Sequence, residues 1–217
     1  MIEAVVFDFD GLILDTEMPS FVSWAEVFKL YDCELTEDDH ALTIGAQFER
    51  IDILKQRARR PLPPDDELRA IKKQRHDELL ADMEILPGVI AWLDDVGRRG
   101  LPVAIASSSP SSWVTELLDR FELAPRFAHV ACCDGDRPPK PAPDCYIAAC
   151  DALAVAPQHA LAVEDSANGV AAAKAAGMWC VAVPNALTRR LDLSAADVQL
   201  ESLAHASLDD VIAQLPR

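Results

Sequence analysis

The chain has 217 residues, half of them hydrophobic, which is enough for one sizeable domain or one domain carrying a smaller insert. A formal net charge of −16 opposes nucleic-acid binding, which relies on clustered Lys and Arg, and it repels phosphorylated small molecules unless a cation sits where they bind. No apolar run approaches the ~20 residues of a membrane span, and no basic stretch leads into an apolar one at the N-terminus, so a cytoplasmic protein with no membrane partner is expected.

The first element is a strand over residues 3–7, read from Ala4-Val5-Val6-Phe7. It delivers Asp8, Asp10 and Asp15 onto one turn, FDFDGLILDTE. Carboxylates this close repel, and desolvating them costs several kcal/mol unless a cation offsets it. The turn is therefore either a solvated acidic one or a carboxylate site for a metal ion or for chemistry. About ninety residues separate this strand from the next, and most read as helix: 21–31, with Pro19 suited to a first turn, then 48–59 and 65–83. Pro61-Leu62-Pro63-Pro64 breaks the chain between the last two. Such an insert predicts an all-helical cap domain over 16–87, within a core made of 1–15 and 88–217. Residues 55–75 hold eight Lys/Arg against three Asp/Glu, either a solvated helix face or a face turned toward an anionic substrate.

A helix is expected at 89–99, then strands at 102–106, 129–132, 160–163 and 180–183, separated by helices at 112–121, 144–154 and 166–176. The strands are continuous apolar runs, as in a parallel sheet buried on both faces. This alternation predicts a doubly wound, Rossmann-like α/β core with right-handed crossovers. The six cysteines lack the C-x-x-C spacing of a zinc site and are expected to be reduced core residues, and core packing is likewise the expectation for the four tryptophans.

In open α/β sheets the ligand lies beyond the carboxyl ends of the strands. Asp8 and Asp10 follow the first strand, Ser107-Ser108-Ser109 the second, Lys140 (in RPPKPAPD) lies downstream of the third, and Glu164 and Asp165 (in VEDSANG) follow the fourth. Singly these read as a helix N-cap, a loop lysine and surface turns. Together at one sheet edge they make a site. The oxygens of Asp8 and Asp165 suit Mg²⁺, and the metal, Lys140, Ser107 and N–H groups at helix starts can together neutralise a phosphoryl group. One of two aspartates two residues apart can attack phosphorus while the other handles protons. Ser166 reads as an N-cap. Asn168 either orients Asp165 or caps the turn.

The motifs DFDGLILDTE, ASSS, KPAPD and VEDSANG resemble the four signature motifs of the haloacid dehalogenase (HAD) superfamily, in order and across nearly the whole chain. They most resemble its branch of sugar-phosphate phosphatases and β-phosphoglucomutase, which carries a helical C1-type cap after strand one. The resemblance implies that Asp8 is the nucleophile, forming an aspartyl-phosphate, and that Asp10 is general acid and then base, with its carbonyl on Mg²⁺. Ser107 and Lys140 would hold the phosphoryl group, assisted by Ser108 and the backbone of Gly11 and Leu12. Asp8, Glu164 and Asp165 would complete the metal site. The implied substrate is a small phosphorylated metabolite, a sugar phosphate, and a monomer is expected.

The same branch contains a mutase, whose cap carries a histidine ten residues after the second aspartate and a K-G-x-x-R pattern. Here the first position is Ser20, and TIGAQFER places Phe48 three residues after Gly45, with Arg50 two further on. Both departures favour a phosphatase over a phosphosugar mutase. Ser20, Gly45, Phe48 and Arg50 are the cap residues expected to select the substrate. A phospho-accepting receiver domain uses similar residues, but its acceptor aspartate follows a central strand and it has no helical insert. Haloalkanoate dehalogenation uses neither Mg²⁺ nor a second aspartate, so Asp10 with Glu164-Asp165 opposes it.

Overall fold

The structure, a computed structural model, describes residues 1–44 and 49–215. Six strands, β1 (Ala4–Phe7), β2 (Val103–Ala106), β3 (His129–Ala131), β4 (Ala160–Glu164), β5 (Trp179–Ala182) and β6 (Val198–Gln199), pair in parallel in the order β3-β2-β1-β4-β5-β6. From β1 the chain winds outward on one side and then, from β4, on the other. This is the doubly wound arrangement expected. The two residues of β6 are too few to leave a periodic signal, which is why the sequence did not announce this strand.

Between β1 and β2 lie α1 (Glu17–Leu30), α2 (Glu37–Thr43), α3 (Arg50–Arg57) and α4 (Asp65–Leu80). Trp24, Val27 and Phe28 of α1, Leu35 in the connection to α2, Ile51 and Leu54 of α3, and Leu68 of α4 form an apolar cluster of their own. The two connections to the rest of the chain run side by side, with Leu14 bridging Ile85 and Leu86 N–H donating to Ile13 O at 2.9 Å. Helix α2 was not foreseen. It opens with a capping box, Thr36 and Asp39 each accepting from the other's backbone N–H, a pattern in which Asp takes the place of the usual Glu or Gln.

Alternate strand residues differ in size, and this difference builds two unlike faces. Val5, Phe7, Val103, Ile105, Leu161, Val163 and Val181 point to one side and pack under α5 (Val89–Arg98), α6 (Ser111–Arg120) and, through Leu208 and Val211, the C-terminal helix. Ala4, Val6, Ala104, Ala106, Ala160, Ala162, Cys180 and Ala182 point to the other, under α7 (Asp144–Ala152) and α8 (Ala167–Ala175); the C-terminal helix is α9 (Leu208–Gln214). The six cysteines are free thiols, with Cys132, Cys145, Cys150 and Cys180 buried and Cys33 and Cys133 half-buried. Trp24 and Trp92 are buried as expected, and the Trp92 indole N–H is shared between Leu203 O and Ala206 O at 3.0 and 2.8 Å.

The chain re-enters the sheet domain through Gly88, the N-cap of α5, whose φ of +90° favours glycine. A Cβ there would also lie 2.2 Å from Ala204 N. Gly88→Ala is expected to destabilise the protein by about 2–4 kcal/mol, read as a lower urea midpoint at unchanged slope. An unchanged midpoint would mean that the turn around Ala204 shifts freely.

Candidate active site

The reversal of strand order between β1 and β4 opens a crevice at their carboxyl ends. Register sets what faces it. Phe7 pairs with Val163, and Asp8 N–H donates to Val163 O at 2.9 Å, so Asp8 and Glu164 leave the sheet at one level. Between them sits Lys140, 4% exposed, with Nζ 2.5 Å from Asp8 Oδ1 and 2.5 Å from Glu164 Oε1. Ser108 Oγ accepts the Lys140 backbone N–H at 3.1 Å and so fixes the loop that carries the lysine.

Glu164 accepts from five donors. On Oε1 these are Lys140 and the Tyr146 hydroxyl; on Oε2 they are the Asp165 and Ser166 N–H groups and the Ser166 hydroxyl. Gly169 must be glycine because the carboxylate occupies its Cβ position, 1.9 Å away. Ser166 caps α8 as expected, accepting from Gly169 N–H at 3.1 Å. Asp165 is oriented by Asn185, whose Nδ2 donates to Asp165 Oδ2 at 2.7 Å and to Gly11 O at 3.2 Å. Neither alternative for Asn168 is what the structure shows: its amide donates to Ile44 O in the insert at 3.0 Å.

One oxygen each of Asp8, Glu164 and Asp165 lies within 4.8 Å of the others, and all three residues are buried. Burial raises the Asp8 carboxyl to about 8, the Glu164 and Asp10 charges adding to that rise while Lys140 pulls the other way. Burial, then the charges of Asp8 and Glu164, lifts Asp165 well above the carboxylate range. Burial alone would lower Lys140, but Asp8 and Glu164 outweigh it and hold the ammonium charged. Were all three buried acids ionised, the one ammonium would leave two negative charges without a partner. An all-oxygen donor set with that deficit fits a hard divalent cation. Among these acids, Glu164 already has both oxygens filled, so direct ligation by it would displace a donor.

Asp10 accepts from the Thr16 hydroxyl and the Trp113 indole N–H at 2.9 Å each and from the Ser109 hydroxyl at 2.6 Å, with Ser107 Oγ at 3.5 Å. Gly11, at φ +77°, and Leu12 spend their N–H groups inside the turn, on Leu14 O and Phe9 O, and neither faces the cavity at Asp8. Asp15, the third acid of the opening stretch, accepts Met18 N–H at 3.1 Å near the start of α1 and also lies outside that cavity.

The cavity, about 280 Å³, is walled by Asp8, Asp10, Ser107, Ser108, Lys140 and Asp165 from the sheet domain and by Glu17, Ser20, Lys72 and His76 from the insert. A second, about 510 Å³, shares Ser20 and Lys72 with it and adds Arg50, Arg69 and Lys73. Arg50 contacts Glu17 and the buried His40 at 3.4 and 3.2 Å. Gly45 and Phe48 lie outside the described residues. Burial, then the Arg50 charge, brings Lys72 down to about 8, and burial, then Lys72, brings His76 to about 4. Sequence reasoning missed Glu17, Lys72, His76, Trp113 and Asn185 as individual residues. The available signal was weak: Lys72 and His76 stand four apart on one helix face, and Trp113 sits one turn into the helix after the serine run.

A family model for haloacid dehalogenase-like hydrolases matches residues 2–177. YhcW of Bacillus subtilis (strain 168) is 37% identical over 96% of this chain and 95% of its own. A Thermotoga maritima protein named phosphorylated carbohydrates phosphatase is 34% identical over 81% of this chain and 82% of its own. The crystal structure of a D10N mutant of CbbY from Rhodobacter sphaeroides in complex with xylulose-(1,5)bisphosphate matches at a TM-score of 0.78 and 30% identity, over 100% of both chains. With acids, hydroxyls and a lysine gathered at the strand ends and relatives alike along almost their whole length, the chain belongs to the haloacid dehalogenase-like hydrolases and is a phosphatase of that family.

Proposed function

We propose that this phosphatase is a Mg²⁺-dependent phosphomonoesterase for a small sugar phosphate, working through an aspartyl-phosphate on Asp8, with residues 16–87 acting as a cap over the site. The observation that carries this reading is the buried Lys140 held against Asp8 beside two further acids, facing a cavity whose opposite wall carries Lys72. Asp8 attacks phosphorus as the ester P–O bond breaks, and the departing alkoxide takes a proton from Asp10. Asp10 then removes a proton from the water that attacks the aspartyl-phosphate, releasing inorganic phosphate and restoring both acids. Lys140 and Ser107 bind the non-bridging oxygens, and Ser108 holds the Lys140 loop in place. Asp8, Asp165 and the Asp10 carbonyl would hold Mg²⁺, which supplies positive charge against the phosphoryl oxygens. Glu164 stands behind them and anchors Lys140.

The far end of the substrate falls to the insert. Ser20 and Lys72 line both cavities, and Arg50 and Arg69 line the second, which favours a substrate with a hydroxylated or anionic distal group. The bisphosphate bound by CbbY is a ligand of that kind.

The first test is phosphate release from a panel of sugar phosphates with Mg²⁺ and with EDTA. Metal-dependent release that Asp8→Asn abolishes is expected, and activity surviving that substitution would remove Asp8 as the nucleophile. Glucose 6-phosphate formed from β-glucose 1-phosphate without net phosphate release would replace this reading with a phosphomutase. Lys72→Ala is expected to raise KM about tenfold, ~1.4 kcal/mol, for a sugar bisphosphate and less for a monophosphate. Equal KM values in the variant and the parent would take Lys72 out of substrate binding.

The raised carboxyl of Asp8 gives a further expectation. Free of metal, the folded protein keeps the Asp8 proton up to about 8, whereas the unfolded chain loses it near the ordinary 3.8. That contribution is present at low pH and is lost as pH rises between these values, because the folded state then binds more protons than the unfolded one. Mg²⁺ competes with the same proton, so the rise in Tm on adding Mg²⁺ should grow from pH 5 to pH 8. A rise independent of pH would place the metal away from Asp8.

A further inference from the structure

Within the reading above, Asp10 carries the proton, and its carboxylate is surrounded by hydrogen-bond donors. Two of them connect it to the insert. Thr16 is the residue before α1, yet its hydroxyl makes no cap and donates to Asp10 Oδ1 instead. Trp113, on α6 in the sheet domain, donates its indole N–H to the same oxygen at 2.9 Å. The Trp113 ring also stacks on the His76 imidazole of α4, with centroids 6.2 Å apart and planes 24° apart. Both rings line the cavity that holds Asp8. One rigid side chain therefore touches the proton carrier at its polar edge and the insert at its face.

We infer that Trp113 is a positioning residue for the hydrolysis: its indole N–H fixes the Asp10 carboxylate, and its stack on His76 ties that orientation to the position of the insert. An indole suits this role because it offers a single donor and no acceptor, so it can orient a carboxylate without exchanging the proton that Asp10 transfers. Its two χ angles and flat ring hold that donor in place against a neighbouring ring. The inference rests on Asp10 acting as general acid, and the experiment separates the two claims.

Trp113→Phe keeps the ring and removes the donor. An alkoxide leaving group needs a proton from Asp10, whereas 4-nitrophenolate does not, and kcat/KM reports the step in which either departs. The variant is expected to lose about tenfold in kcat/KM on a sugar phosphate and less than threefold on 4-nitrophenyl phosphate, since general acid catalysis contributes on the order of 10²–10⁴-fold. His76→Ala should show a smaller split in the same direction, and His76→Phe, which keeps a ring against the indole, should remove it. The His76 variants retain the indole and carry the test if Trp113→Phe fails to fold. Equal losses on both substrates, or none, would make Trp113 a wall residue and overturn the inference. Asp10→Asn is the reference: a split there but not in Trp113→Phe defeats the role of Trp113 alone, and no split in Asp10→Asn defeats the proton-transfer reading beneath it.

Discussion

The site is organised around one buried ammonium. Lys140 stands 2.5 Å from Asp8 on one side and 2.5 Å from Glu164 on the other, almost wholly buried at the wall of the cavity. Removing a lysine and two carboxylates from water costs several kcal/mol per ion, and only close pairing with every remaining lone pair satisfied recovers it. That requirement accounts for the surrounding residues. Tyr146, the Ser166 hydroxyl and two backbone N–H groups complete Glu164, Ser108 steadies the lysine's loop, and Gly169 leaves the space Glu164 occupies. Breaking one partner of such a set leaves a bare buried charge, so the cluster holds as a unit.

The small-residue face of the sheet makes this cluster reachable. Ala4, Ala104, Ala106, Ala160, Ala162 and Ala182 take little room, which lets α7 and α8 approach the strands closely. Tyr146 on α7 can then reach Glu164 at the tip of β4, and the first turn of α8 can close over its second oxygen. The opposite face, with Phe7, Ile105, Leu161 and Val163, holds the bulk of the apolar core and meets helices that bring fewer polar groups to the acidic cluster. Packing size on alternate strand positions therefore divides the sheet into a load-carrying side and a side that builds chemistry.

The sheet was legible because β1, β2, β4 and β5 are continuous apolar runs, and the polar residues that end them could be read off directly. Lys140 was legible for the same reason, once the strands had been ordered. What the sequence did not show depends on contacts between distant segments. Asn185 meets Gly11 across 174 positions, and nothing near either residue encodes the pairing. Trp113 reads locally as one more apolar helix residue, and its indole N–H acquires meaning only where Asp10 receives it. Gly11 and Leu12 show the converse: their N–H groups look available in the motif, but the tightness of the turn consumes them. Periodicity reports which face of an element is buried, not which partner satisfies it.

The basic stretch of the insert resolves in the same way. Lys55, Arg57, Arg60 and Arg75 pair with surface acids, so the solvated-face reading holds for them, while Arg69 and Lys73, though paired with acids too, line the second cavity and Lys72 lines both. The contacts between the insert and the sheet domain are likewise of two kinds. At the connecting strands Leu80 and Met83 join the main apolar core beside Leu14, a dry contact that resists separation. Away from that contact the links are polar: Arg190 to Glu37 and Asp38, and Asn168 to Ile44 O. Exposed ion pairs contribute about 0–1 kcal/mol each and exchange readily with water. An apolar pivot on one side and solvent-replaceable links on the other are what the cap proposed for residues 16–87 would need in order to open by rotation. Under that proposal, opening would admit substrate past Lys72 and His76, and closing would exclude water from the buried charges at Asp8 and Lys140.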